Sequence, residues 1–141
     1  MSHITNVEDA IRYVETKGER LGKLSEEFRN CKEIVLAAVK CNCNALRYAH
    51  VEFRKDYEIV LAAVTLDGFV LGLAHVTLKK DRNIVLAAVT QEGYALIFAH
   101  ETLKKDRKMC SIAIKNTNDK RVLHTLFIYI QKSLMDYKNR G

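Results

Sequence analysis

The sequence predicts an all-α fold: a short α-solenoid of about four 25-residue helical-hairpin repeats, closed by a C-terminal capping helix. The string IVLAAV occurs three times at intervals of 25 residues, beginning at Ile34, Ile59 and Ile84. Proline is absent and glycine occurs only six times, so turn signals are too few for a many-stranded β fold. The paired alanines of each string favour helix over strand. We therefore predict a single helical-repeat domain over residues 1–141.

The repeats are most faithful in the middle of the chain. Segments 56–80 and 81–105 are identical at 16 of 25 positions, and segment 31–55 matches 56–80 at 12 of 25. The match fades outward, which makes 6–30 a degenerate N-terminal repeat and 106–141 a C-terminal cap. This divergence is expected because a terminal repeat has one face in water.

Each repeat is predicted to begin with one helix of about 11 residues, or about 16 Å. Asp56, Asp81 and Asp106 lie where N-caps are needed. Gly68 and Gly93 lie about 11 residues after the first two of these caps, where a helix often ends on a left-handed residue. The apolar side chains of IVLAAV are spread around the helix axis, so we expect neighbours to enclose this helix on every side.

A second helical stretch follows each glycine. Phe69, Leu73 and Leu78 fall near one helix face, and the next repeat has the same pattern. The pattern leaves open whether this stretch is one kinked helix or two short ones. The C-terminal segment begins at Asp119 and carries one apolar stripe, which predicts a longer amphipathic helix that closes the stack. The stripe consists of Leu123, Leu126, Phe127, Ile130, Leu134 and Tyr137.

The pattern D-R-x-IVLAAV-x-x-x-G-x-A-L-x-x-A-x-x-x-L-K-x-D resembles the short repeats of domain-of-unknown-function family four-one-one-six. The resemblance covers roughly residues 10–110. It implies an α-helical array and a virus- or effector-like setting, because such repeats are found largely in giant DNA viruses and amoeba-associated bacteria. It implies no activity. The chain departs from the family pattern with Cys43 in place of the turn glycine, and with histidine where serine is more usual after the alanine.

Residues one period apart form columns along a stacked array, and one such column is basic. Its members are Arg54, Lys55, Lys79, Lys80, Arg82, Lys104, Lys105, Arg107 and Lys108. Lys120 and Arg121 extend this basic column. Together with the net charge of +6 it is compatible with polyanion binding, in which the cations follow a phosphate backbone. The interpretation that the sequence favours is a solvated edge, because cations at helix ends offset helix dipoles and each cluster also contains an aspartate.

A second column contains His50, His75 and His100. Histidines in register suggest a metal site or a pH switch. Neighbouring repeats, however, stack about a helix diameter apart, much further than the ~2 Å bonds to a shared metal. We therefore expect structural histidines that cap the next turn, and a mild loss of stability on acidification.

The four cysteines, Cys31, Cys41, Cys43 and Cys110, do not follow a paired zinc pattern. We expect free thiols in a reducing compartment, with Cys43 exposed and open to oxidation. The sequence also lacks a nucleophile elbow, a Walker loop, a dinucleotide fingerprint and a zincin motif. It therefore predicts no catalytic residue, no metal and no cofactor.

These observations favour a non-enzymatic scaffold that binds a protein partner, not identified by the sequence, through its helical-repeat surface. A homodimer is one form of that interaction, because both ends of the stack are candidates for self-association. The second candidate function is nucleic-acid binding through the basic column. The third is enzymatic activity, which would require a deep polar pocket. No signal peptide and no membrane-length apolar run is present, so we expect an intracellular protein, in the cytoplasm or nucleus of a host cell or within a virion.

Overall fold

The computed structural model describes residues 3–118 and 120–139, and within them all regular structure is helical. The predicted all-α repeat solenoid is confirmed. None of the described helices combines the length and the apolar character that a membrane crossing requires.

Each repeat contains three helical segments. The long helices are Val7–Thr16, Lys32–Cys41, Tyr57–Leu66, Arg82–Gln91 and Arg107–Lys115. Each of the first four is followed by a six-residue 3₁₀ segment: Gly18–Lys23, Cys43–Tyr48, Gly68–Leu73 and Gly93–Phe98. A short segment completes the repeat: Glu26–Arg29, Val51–Lys55, Val76–Lys79 and Glu101–Lys104. The second stretch of each repeat is therefore two short elements, which was one of the two arrangements that the sequence left open.

The predicted N-caps of the long helices are confirmed. The Asp56 carboxylate accepts a hydrogen bond from the Ile59 N–H at 3.1 Å, and Asp106 accepts one from the Met109 N–H at 2.9 Å. Asp81 accepts from two N–H groups at its helix start. These bonds satisfy N–H groups that have no partner within the helix.

The long helices supply most of the core. In the IVLAAV strings the isoleucine, the first valine, the second alanine and the last valine are buried, as Ile59, Val60, Ala63 and Val64 show with no exposed surface. The expectation of enclosure on every side is wrong, because the leucine and first alanine of each string are only half-buried. A stack one repeat wide covers two sides of each helix and leaves the outer edge in contact with solvent.

The glycines at the start of the 3₁₀ segments serve close packing. The prediction that Gly68 and Gly93 are left-handed is wrong, because no described residue has a positive φ. A Cβ on Gly68 would instead collide with the carbonyl oxygen of Ala88 in the next long helix, and one on Gly93 would collide with that of Ala113. Glycine at these positions allows consecutive repeats to approach backbone to backbone.

The helix Lys120–Lys138 ends the stack and packs against the long helix Arg107–Lys115 and the last 3₁₀ segment. Leu126 and Ile130 of the predicted stripe are buried, whereas Phe127 is 48% exposed. The predicted start at Asp119, and the side chains of residues 121 and 137, lie outside what the structure describes.

Candidate functional site

The basic column is divided between paired and unpaired cations. Lys55 lies 3.4 Å from Glu52, and Lys104 lies 3.2 Å from Glu101, each within one short segment. Arg82 reaches Asp106 in the next repeat, with its two terminal nitrogens 2.7 and 3.3 Å from the two carboxylate oxygens. This ion pair lowers the pKa of Asp106, as does the N–H of Met109.

Two members of the column, Lys104 and Arg54, are partly buried. Burial alone would lower the pKa of Lys104, but the neighbouring Tyr129 and Glu101 side chains raise it. The ammonium group also lies 5.1 Å from the centre of the Tyr129 ring. Arg54 donates to the carbonyl of Arg47 at 3.4 Å, and its Nε is buried without a hydrogen-bond partner among the described residues. Neither side chain projects freely towards a phosphate backbone.

The remaining cations make no ion pair within the described part of the chain: Lys79, Lys80, Lys105, Arg107 and Lys108. Three of these five lie at the C-terminal end, and the net charge lies there too. Residues 101–141 contain ten Lys or Arg and four Asp or Glu, whereas residues 1–100 contain thirteen of each. The array itself is therefore neutral, and the whole excess of +6 belongs to its closing end.

The histidines lie at the start of the short segments. The Nδ1 atoms of His50, His75 and His100 accept hydrogen bonds from the N–H two residues later, at 3.4, 3.2 and 3.3 Å. The backbone N–H of each histidine donates to a backbone carbonyl of the preceding repeat; for example, the N–H of His75 donates to the carbonyl of Arg54 at 2.9 Å. The equivalent residue of the first repeat, Ser25, is also a side-chain N-cap. This geometry gives the column a local role in capping and in joining repeats.

The cysteines differ from the expectation at one position. Cys43 is 8% exposed, so the prediction that it is exposed is wrong. Burial raises the pKa of its thiol, and the nearby Asp67 raises it further, which disfavours the reactive thiolate. Cys41 is the exposed member of the pair. Among the described residues, no three His, Cys, Asp or Glu side chains gather as metal ligands would.

The structure also shows an exposed aromatic patch that the sequence pattern did not predict. The patch consists of Phe69, Tyr94 and Phe98. The Phe69 ring is 46% exposed and meets the rings of Tyr94 and Phe98 edge to face, at centroid distances of 6.3 and 6.4 Å.

The signal for this aromatic patch is in the composition of the 3₁₀ segments. GFVLGL and GYALIF contain no charged residue, whereas GERLGK and CNALRY do. The sequence pattern predicts Phe69 on the same helix face as Leu73 and Leu78. In the structure Leu78 is buried and Phe69 is exposed, because a 3₁₀ segment has three residues per turn and a separate short helix follows it.

Comparison with known proteins supports the repeat interpretation. The family model "Domain of unknown function (DUF4116)" matches four overlapping stretches, residues 6–54, 31–79, 56–104 and 81–134. Each stretch begins 25 residues after the previous one. Comparisons with curated proteins and with solved structures gave no significant match. The resemblance seen in the repeats is thereby confirmed, and the chain belongs to the DUF4116 family.

Proposed function

We propose that this protein is a non-enzymatic scaffold and that it binds a partner protein through the aromatic patch. The observation that carries the proposal is the Phe69 ring, which is almost half exposed and meets two rings of the next 3₁₀ segment, and neither of these two segments contains a charged residue. Aromatic side chains provide large contact areas at little cost in conformational entropy, and they are enriched at the centres of protein interfaces. A lone exposed apolar residue needs no explanation, but a contiguous group of them on a soluble surface does.

Three features of the surface support a scaffold rather than an enzyme. The aspartate and histidine caps that recur in segments 56–80 and 81–105 are engaged in local hydrogen bonds. Asp106, an acidic residue beside the basic column, forms an ion pair with Arg82. The solenoid displays its side chains along an extended face, which suits recognition of a macromolecule.

The test replaces Phe69 with the residue that the second repeat has at the same position. Asn44 is the second residue of the equivalent segment Cys43–Tyr48, so Phe69→Asn is expected to fold with almost unchanged stability. The control is Val51→Glu, which removes an apolar side chain of similar exposure from a short segment where Glu26 and Glu101 are the equivalents.

Wild-type protein and both variants would be tagged and expressed in the native host cell, and the bound proteins quantified by mass spectrometry. We expect Phe69→Asn to lose a partner by about tenfold, the typical effect of removing an aromatic anchor, and Val51→Glu to retain it. An unchanged set of partners in Phe69→Asn contradicts the proposal, and so does equal loss in both variants.

The cations without an ion pair near the C-terminal end favour a second candidate function, in which the protein binds the phosphates of a nucleic acid. Lys105, Arg107 and Lys108 lie within the stretch that carries the whole net charge. Phosphate-dominated binding to mixed-sequence DNA should fall steeply between low and physiological salt, because counterions are released on binding. Binding that is absent, or insensitive to salt, removes this candidate.

A further inference from the structure

A groove of about 860 Å³ lies at the C-terminal end, between the helix Lys120–Lys138 and the stretch that leads into the helix Arg107–Lys115. Its apolar part is formed by Leu134, which is half-buried, and Met135, which is 65% exposed. The flexible, polarisable side chain of a methionine adapts to apolar partners of different shape.

The rim of this groove is cationic. Lys105 and Arg107 line it on the side of the repeat, and Lys138 lines it on the side of the C-terminal helix. Asp106 is the acidic residue among the described lining residues, and both of its oxygens are bonded to Arg82. Because that carboxylate is already neutralised, the groove presents an excess of positive charge around an apolar floor.

We propose that this groove binds an acidic amphipathic peptide segment of a partner protein. Leu134 and Met135 receive the apolar side chains of the peptide, and Lys105, Arg107 and Lys138 pair with its carboxylates. An amphipathic helix that lies in an apolar groove is a common mode of peptide recognition, and complementary charge selects the partner. A nucleic acid would use the cations and leave the apolar floor empty, so the combination favours a peptide.

The inference rests on the scaffold function but uses a surface separate from the aromatic patch. The probe is a short fluorescent peptide with glutamate on one helical face and leucine on the other, and binding is followed by anisotropy. One control peptide has lysine in place of glutamate, and another has serine in place of leucine. We expect the glutamate–leucine peptide to bind at least about tenfold more tightly than either control, as charge and apolar contact both contribute.

Matched variants locate the binding. Arg107→Glu, within the groove, should weaken the peptide by about tenfold, whereas Lys108→Glu, the same charge change one residue outside the lining, should change affinity by less than about twofold. Met135→Ser should weaken it by about fivefold, and Ile128→Ser, 52% exposed on the same helix but outside the groove, should not.

Four outcomes would overturn the proposal. These are no binding to the probe, equal binding of the serine control, competition by DNA with equal loss in Arg107→Glu and Lys108→Glu, or displacement by a fatty-acid anion with no effect of peptide sequence. Phe69→Asn should leave probe binding unchanged. If the peptide does not bind but Phe69→Asn loses a partner, only the groove proposal is rejected. If the peptide binds but Phe69→Asn keeps its partners, only the aromatic-patch proposal is rejected.

Discussion

The contact between repeats 56–80 and 81–105 and the contact between repeat 81–105 and the C-terminal helices begin with the same packing and then differ. In both, a glycine packs on the backbone of the next long helix: Gly68 on Ala88 in the centre and Gly93 on Ala113 at the end. In the centre the chain continues into a 3₁₀ segment capped by Glu92. At the end the equivalent residue is Thr117, a buried hydroxyl that donates to the carbonyl of Ala113 at 2.8 Å.

After that threonine a single helix, Lys120–Lys138, replaces the two short elements of a repeat. A central repeat has both of its stacking faces covered by similar neighbours, so packing restricts most of its positions to the same residue types. The helix Lys120–Lys138 has no equivalent among the other described elements, so the repeat pattern does not restrict its residues. Its surface carries residues such as Met135, which is 65% exposed. The two regions therefore differ in how strongly neighbouring repeats constrain the sequence.

The largest expected effect breaks the central packing. Ala63→Asp places a carboxylate at a position with no exposed surface, facing the neighbouring helices. Burying that charge without a partner should cost roughly 4 kcal/mol or prevent folding. Thr65→Asp introduces the same side chain at an exposed position of the same helix and should cost less than about 0.5 kcal/mol. Urea denaturation of both variants measures the difference, and equal midpoints would contradict the packing described here.

Alanine substitutions of the glycines that pack on the next long helix should destabilise the protein less. Gly93→Ala would push a Cβ into the Ala113 carbonyl and the Thr117 hydroxyl, and should cost about 2–3 kcal/mol through backbone displacement. Gly68→Ala, which meets only the Ala88 backbone so closely, should cost somewhat less. Thermal denaturation checks both.

Gly72→Ala is the control for these glycines. Its Cβ would meet ring atoms of Phe98 at 3.3 Å or more, a side chain that can move by a few tenths of an ångström. Because no described glycine has a positive φ, the only general effect of alanine is a small gain from a less flexible unfolded chain. If Gly72→Ala were as destabilising as Gly93→Ala, close backbone packing would not be the reason for glycine.

The parts of the fold that repeat were predictable from the sequence. The 25-residue period predicts the helical-repeat array, and the aspartates before the IVLAAV strings predict the helix N-caps, because both depend on local or periodic features. The recurrence of Gly68 and Gly93 did not show whether glycine was needed for a left-handed φ or for a close approach, since both select the same residue.

The candidate sites were less predictable, for different reasons. Over six residues a 3₁₀ segment and an α-helix have similar apolar patterns, so the exposure of Phe69 depends on an element type that periodicity does not distinguish. The ion pair from Arg82 to Asp106 joins neighbouring repeats and depends on how they stack. The groove depends on the docking of a helix that has no second copy in the chain with which to compare it.

The smallest effect tests how that inter-repeat ion pair contributes next to the groove. Asp106→Asn keeps a side chain that caps helices well but removes the charge that pairs with Arg82. Asp81→Asn is the matched control, because Asp81 caps the preceding long helix and makes no ion pair among the described residues. Solvent screens an exposed pair of this kind, so Asp106→Asn should lose only a little stability at neutral pH and Asp81→Asn should lose less.

The pH dependence separates the ion pair from the cap. The pKa of Asp106 is lowered in the folded protein, chiefly by the hydrogen bond from Arg82, so the unfolded chain binds the proton at higher pH. The stability that this carboxylate contributes is therefore complete above its unfolded pKa of about 3.9 and is lost as the pH falls through the lower folded value. Melting temperatures of wild type and Asp106→Asn should converge in that acidic range, while Arg82 remains charged. A constant difference down to the most acidic buffer would mean that the variant alters the cap, and that the pair between the last two long helices contributes nothing to their association.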